Sequence, residues 1–122
     1  MLLTRDSILK ADDILSEDVE VAEWGGTVRV RGLTGAQRDQ FESSIVSLKM
    51  GSKGTHQDVN MQNVRAKLVA LSVVDADGKR LFSDSDIKAL GMKSAVALQR
   101  VFDVAQRLSG ITETDVEELA KN

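Results

Sequence analysis

The spacing of apolar residues changes along this chain, from alternation near the N-terminus to intervals of three and four afterwards. Residues 19–31 alternate between apolar and polar positions, most clearly around Val28 and Val30. Such alternation is typical of a β-strand with one buried face. Gly25 and Gly26 interrupt it, and two alternating runs joined by two glycines predict a β-hairpin with a tight turn. The valine face must pack against other elements, because an isolated hairpin is marginally stable in water.

After the hairpin, the apolar spacing predicts amphipathic helices. We expect about five helices, at about residues 5–12, 34–49, 59–74, 94–109 and, as an acidic C-terminal helix, 113–121, with a further short helix that is capped by Ser83 or Asp84 and ends near Leu90. In the first of them, Ile8 and Leu9 are the expected apolar contacts. The predicted fold is α+β, a mostly helical single domain over residues 1–122 with one N-terminal β-hairpin. Its core is predicted to contain Phe41, Leu68, Leu71, Val101 and Phe102.

Residues 50–58 separate two of the predicted helices and contain two glycines and almost nothing apolar. This composition predicts a flexible surface loop, the kind of segment that often carries function. His56, the only histidine of the chain, falls in this loop. A lone loop histidine is usually just solvated, so no catalytic role is assigned to it.

Several kinds of chemical site are excluded by the residues present. The chain has no cysteine, which excludes disulfides, zinc–thiolate sites and cysteine nucleophiles. Asp75-x-Asp77-Gly78 is similar to part of a calcium loop, but the first and twelfth loop positions would be Val73 and Asp84. Those residues do not supply the required carboxylate and bidentate glutamate, so an Asp-Gly turn is the better interpretation. No catalytic, metal or cofactor site is predicted, and the chain is not expected to be an enzyme.

Charge and hydropathy argue against nucleic acids and membranes as partners. The net charge is −3, whereas nucleic-acid-binding domains usually carry a basic excess. Arg29 and Arg31 lie on one face of the predicted hairpin, where Glu20 is expected to pair with them across the strands. The longest apolar runs are too short to span a bilayer. The N-terminus lacks the order of a signal peptide, because its charges follow its apolar residues, so we expect a cytoplasmic protein.

A set of short stretches, distributed along the chain, carries a resemblance to a known family. The stretches are Trp24-Gly25, Val28-x-Val30-Arg31-Gly32-Leu33-Thr34-Gly35, Arg38-Asp39, Asn63-Val64-Arg65-Ala66-Lys67-Leu68-Val69-Ala70-Leu71, Asp75-x-Asp77-Gly78-x-Arg80-Leu81-Phe82-Ser83 and Val101-Phe102-Asp103-Val104-Ala105-Gln106-Arg107-Leu108. In their order and spacing they resemble the tail assembly chaperones of long-tailed (siphovirus-type) bacteriophages and prophages. The resemblance runs from about residue 5 to the end, apart from residues 50–58.

The resemblance implies a non-enzymatic protein that binds the long helical tape measure protein during tail morphogenesis. It would keep that protein soluble while tail tube subunits polymerise around it, in the cytoplasm of the bacterial host, and be absent from the finished virion. The tail tube protein is a second candidate partner. Members of the family are commonly made in two forms, the longer by programmed ribosomal frameshifting. Lys121-Asn122 permits a slippery coding sequence at the position where the resemblance implies one.

Without a catalytic set, the chain is expected to work through an apolar or mixed surface. Trp24 at the hairpin tip and Val116 and Leu119 on the C-terminal helix are the candidate partner-binding residues. The same residues indicate a candidate homo-oligomer, because an unoccupied apolar patch often pairs with itself. The alternative function is a small structural tail-completion or connector protein that is retained in the virion. A nucleic-acid-binding regulator is disfavoured by the charge.

Overall fold

A computed structural model describes residues 1–51, 54–59 and 61–112 of the chain. Within these residues, five α-helices and five β-strands form one α+β domain, as predicted. In chain order they are α1 (Arg5–Lys10), β1 (Ser16–Val21), β2 (Gly26–Arg31), α2 (Gly35–Ile45), β3 (Val46–Gly51), β4 (Gly54–Val59), α3 (Val64–Ser72), β5 (Val73–Val74), α4 (Ile87–Leu90) and α5 (Ala95–Ser109).

The predicted N-terminal hairpin is present as the antiparallel pair β1–β2. Its turn differs from the two-glycine turn that the sequence predicts. Val21 pairs with Gly26, and the connection is a 3₁₀ turn over Ala22–Trp24 followed by Gly25. Gly25 has a φ of 76°, which a residue without a Cβ adopts at little cost. Gly26 already belongs to β2, so one glycine is sufficient to reverse the chain.

A third strand, β5, extends this sheet in the order β1–β2–β5. Residues Val73 and Val74 were predicted as the end of a helix over 59–74, and that prediction is wrong at both ends. The helix α3 begins at Val64, after Asn63 at a φ of 58°, and ends at Ser72. The two valines pair instead with β2, because β-branched residues fit a pleated strand well and the edge of β2 offers unpaired backbone groups.

The helix predicted over residues 34–49 ends at Ile45, and the loop predicted over 50–58 is largely a strand. β3 and β4 pair antiparallel from Val46 opposite Val59 to Gly51 opposite Gly54. Leu48 continues the helical spacing of Phe41 and Ile45, but it also lies two residues from Val46. A short apolar run fits both periods, and here the strand is formed.

The core lies between the helices and the three-stranded sheet. Helix α5 packs against α3 and against β1 and β2, and α2 packs against α3. The predicted core residues are confirmed as buried: Phe41, Leu68, Leu71, Val101 and Phe102. Ser72 is a buried polar residue within this core, and its hydroxyl donates to the carbonyl oxygen of Leu68 at 2.7 Å.

The N-terminal helix α1 is present but does not pack as predicted. Thr4 caps it, accepting a hydrogen bond from the backbone N–H of Ser7, and the helix ends at Lys10 rather than near residue 12. None of its residues is buried. Ile8 and Leu9, expected to contact the domain, are 55% and 68% exposed. The acidic C-terminal helix predicted at 113–121 lies outside the described residues.

Candidate interaction surfaces

Trp24, the first of the predicted partner-binding residues, lies at the tip of the β1–β2 hairpin. Its side chain is half-buried and packs against the edge of the core. The neighbouring Glu23 fixes this tip to α5, because both of its carboxylate oxygens accept hydrogen bonds from Arg100, at 2.7 and 2.9 Å. These hydrogen bonds lower the pKa of Glu23 to about 2. The hairpin tip is therefore held against α5, and part of the Trp24 indole ring is exposed at its surface.

Val116 and Leu119, the other predicted partner-binding residues, lie outside the described residues. Their role in partner binding therefore stays a prediction.

The exposed face of the hairpin carries a charge pair that differs from the expected one. Arg29 lies opposite Asp18, not Glu20, and its Nε donates to the Asp18 carboxylate at 2.8 Å. The hydrogen bond from Arg29 lowers the pKa of Asp18. Glu20 lies opposite Thr27. The prediction of a cross-strand ion pair is right in kind but shifted by two residues along β1.

An exposed apolar segment, the N-terminal arm (residues 1–15), was not predicted from the sequence. Its large apolar side chains are exposed by half or more, apart from Ile14: Met1, Leu2, Leu3, Ile8, Leu9 and Leu15. Ile8 and Leu9 are adjacent, so they do not form the three- or four-residue stripe that predicts an amphipathic face. The shortness of the helix is the signal that indicates exposure. A helix of six residues is too short to bury an apolar face against the domain.

A groove lined by both apolar and polar residues lies where α3 and α5 begin. The α3–α5 groove, with a volume of about 380 Å³, is lined by Met61, Val64, Ala95 and Leu98 and by two bases, Arg65 and Lys93. No acidic residue lines it within the described part of the chain. Arg65 donates to the side chain of Gln99, and its guanidinium carbon lies 6.0 Å from the centre of the Phe102 ring.

Two further apolar side chains, Met92 and Val96, lie at the same end of α5. They are 83% and 65% exposed. Single exposed apolar residues are common on proteins, so these two do not by themselves mark a binding site.

The described residues contain no group of three acidic or histidine side chains that could hold a metal ion. The calcium-like sequence is the predicted Asp-Gly turn. Asp75 accepts backbone hydrogen bonds from Asp77 and Lys79 at 2.8 and 3.0 Å, and Gly78 has a φ of 80°. One carboxylate oxygen of Asp75, Oδ1, is therefore engaged by its own turn. No helix within the described ranges is long and apolar enough to cross a bilayer.

A family model described as phage tail assembly chaperone matches residues 4–122. The chain belongs to this family. The resemblance carried by the short stretches along the sequence is thereby confirmed. Among curated proteins, no sequence matches the chain significantly.

A solved structure shares the fold of this tail assembly chaperone family member. It is described as the tail assembly chaperone of bacteriophage HK97, and the two align with a TM-score of 0.56 at 17% sequence identity. The alignment covers 84% of this chain and 94% of the other. At that identity the likeness shows a common fold alone.

Proposed function

We propose that this chain binds the tape measure protein during tail assembly and keeps it soluble while tail tube subunits polymerise around it. The proposed role is non-catalytic, and the chain leaves before the virion is complete. The observation that carries the proposal is membership of the tail assembly chaperone family over residues 4–122. Exposed apolar surface on a packed domain supports it, because recognition of an apolar helix face requires such a surface.

The contact with the tape measure protein is assigned to Trp24, Val116 and Leu119. Trp24 supports this assignment because its half-buried ring is held at a hairpin tip that the Glu23–Arg100 pair fixes to α5. A rigid aromatic ring at a surface is well suited to binding, since little side-chain freedom is lost on contact.

Affinity capture of the tape measure protein from the same phage or prophage tests both parts of the proposal. The wild-type chain should retain it, and Trp24→Ala and Leu119→Ala should each weaken retention. Leu81→Ala, a change at another exposed apolar residue, is the matched control and should have no effect. If both variants bind like the wild type, the surface assignment is wrong, and if the wild type does not bind, the function is wrong.

The composition of purified virions separates the proposed role from a structural one. A chaperone that acts in the cytoplasm of the bacterial host should be missing from finished particles. Mass spectrometry of purified virions should therefore find the tail tube protein but not this chain. Finding this chain in stoichiometric amount would support the alternative, a tail-completion or connector protein.

We also propose that a longer form is made by programmed frameshifting at the codons for Lys121 and Asn122. A backward slip of one base needs a heptamer on which both transfer RNAs can pair again, and Lys-Asn permits A-AAA-AAC. The gene sequence tests this directly. A Lys121 codon of AAG, or no overlapping downstream reading frame, would contradict it.

A further inference from the structure

The end of α5 fixes the place from which the following residues leave the domain. Gly110 has a φ of 70°, and the N–H of Ile111 donates to the carbonyl oxygen of Gln106 at 3.0 Å. The N–H of Gly110 donates to the carbonyl oxygen of Arg107, so the helix ends in a Schellman motif. Ile111 is buried in the core. The chain therefore leaves α5 from a fixed position beside Gln106.

The next residues, here called the acidic tail (residues 113–121), have the sequence of an amphipathic helix. Thr112 directly before them is a residue type that often caps a helix N-terminus. Val116 and Leu119 are three positions apart and therefore share one helix face. Only residues 110–112 connect this predicted helix to α5, and connections this short join antiparallel helices. We therefore expect the acidic tail to run back along α5.

One face of α5 leads from this exit to the α3–α5 groove. Gln106, Phe102, Gln99 and Ala95 follow one another at spacings of four, three and four, so they lie on the same face of the helix. Gln99 and Ala95 also line the groove. A segment that leaves beside Gln106 and follows this face arrives at the groove.

The rise of the α-helix shows that the acidic tail is long enough to reach the groove. Both helices rise 1.5 Å per residue, so each step forward in the tail matches one step back in α5. Leu119 lies eight positions after Ile111. It is therefore level with Leu98, eight positions before Gln106 and about 12 Å from the turn. Leu98 is one of the apolar residues that line the groove.

Charge favours the same side of α5. The acidic tail has four acids and one base. The groove has two bases, Arg65 and Lys93, and among the described residues that line it there is no acid. On another side of α5, Arg100 and Arg107 are already bound by glutamates of the hairpin. Arg65 instead donates to the neutral side chain of Gln99.

Asp115 is the acid of the tail that matches the position of Arg65. It lies four positions after Ile111 and is therefore level with Phe102, four positions before Gln106. The guanidinium carbon of Arg65 lies 6.0 Å from the centre of the Phe102 ring. Asp115 also directly precedes Val116, so its side chain flanks the apolar face of the predicted helix.

We propose that the acidic tail docks antiparallel to α5 of the same copy, with Leu119 at the α3–α5 groove and Asp115 beside Arg65. Docking covers Val116 and Leu119 until a partner displaces the tail. This last consequence rests on the proposed function, which assigns both residues to the contact with the tape measure protein. An apolar helix of that protein would then compete with the tail for the same apolar contacts.

Cross-linking between introduced cysteines tests the docking, since the chain has no cysteine of its own. A short bismaleimide should join the pair Ala95→Cys/Ala120→Cys within one copy, and the yield should not depend on protein concentration. Thr27→Cys/Ala120→Cys is the control and should react poorly, because Thr27 is exposed on the outward face of β2. Equal yields for the two pairs, or a product of twice the chain mass, would overturn the proposal.

Charge changes in the Ala95→Cys/Ala120→Cys chain test the contact with Arg65. Asp115→Lys should lower the yield by about threefold, the scale of an exposed ion pair. Glu118→Lys makes the same charge change on the far side of the predicted helix and should have no effect. The charge swap Asp115→Arg/Arg65→Asp should restore the yield, which a loss of helix structure alone would not allow. Failure of the swap to restore it would contradict the assigned contact.

Capture of the tape measure protein tests the displacement separately. Asp115→Lys weakens the docking but leaves Val116 and Leu119 unchanged, so this variant should retain the tape measure protein at lower concentrations than the wild type does. Glu118→Lys should behave like the wild type. Equal capture by Asp115→Lys and the wild type would overturn the displacement. A wild type that captures nothing would overturn the proposed function, while the cross-linking result still decides the docking.

Discussion

At the scale of single residues, Phe102 connects the two helices at the centre of the domain. Its ring is 6% exposed, and the guanidinium of Arg65 from α3 lies above it. The helical spacing of α5 predicted this burial correctly, because one face of the helix carries apolar residues at intervals of three and four. The position of Arg65 was not predictable, since it depends on how α3 and α5 cross.

Phe102→Ala should lower the free energy of unfolding by about 3–5 kcal/mol, because it leaves a cavity in the core. Urea denaturation followed by circular dichroism measures this. Val96→Ala, at an exposed position of the same helix, is the control and should change the free energy by less than about 0.5 kcal/mol. A loss below about 1 kcal/mol for Phe102→Ala would show that the ring is not part of the core.

Glu23 makes the stability of the fold depend on pH in the acid range. The hydrogen bonds from Arg100 lower its pKa from 4.5 to about 2 in the folded chain. A carboxyl whose pKa is lowered by folding stabilises the fold above its unfolded pKa, and this contribution is lost as the pH falls from 4.5 towards 2. The melting temperature of Glu23→Gln should therefore fall less steeply than that of the wild type over this pH range. Equal slopes would show that the Glu23–Arg100 pair is not formed in solution.

At the scale of elements, the sequence predicts a strand or helix well where the residues fit one period, and poorly where they fit two. β2 alternates clearly, and α5 has a single apolar face. Residues 46–51 fit both patterns, and the strand is stabilised by pairing with β4, a partner that local spacing does not reveal. Likewise, β5 is only two residues long and exists because β2 has a free edge beside it.

The packing of the end of β2 on α5 should depend on Gly32. A Cβ at this position would lie 2.6 Å from the carbonyl oxygen of Leu108, and this backbone atom cannot move without shifting the helix. Gly32→Ala should therefore destabilise the domain by about 1–3 kcal/mol in thermal or urea melts. Gly35→Ala is the control, since a Cβ there meets no atom within 4 Å and alanine favours the helix α2. Equal stability of the two variants would contradict this packing.

At the scale of the whole molecule, the sequence predicts the α+β class and the buried core, and its resemblance to a family is confirmed. It does not reveal the surfaces. Ile8 and Leu9 were expected to be the apolar contacts of the first helix, but both are exposed. The α3–α5 groove is formed by residues about 30 positions apart in sequence, so no local pattern marks it. Apolar residues form both the surfaces that bind partners and the surfaces that pack on the core. Residue type alone therefore does not distinguish the two.

The most direct test of the proposed function is the solubility of the tape measure protein expressed with and without this chain. With the wild-type chain present, the tape measure protein should stay in the soluble fraction and co-purify with it. With the Trp24→Ala/Leu119→Ala double variant, it should move largely to the insoluble fraction, whereas Leu81→Ala should protect it like the wild type. A tape measure protein that is equally insoluble with and without the wild-type chain would contradict the proposal.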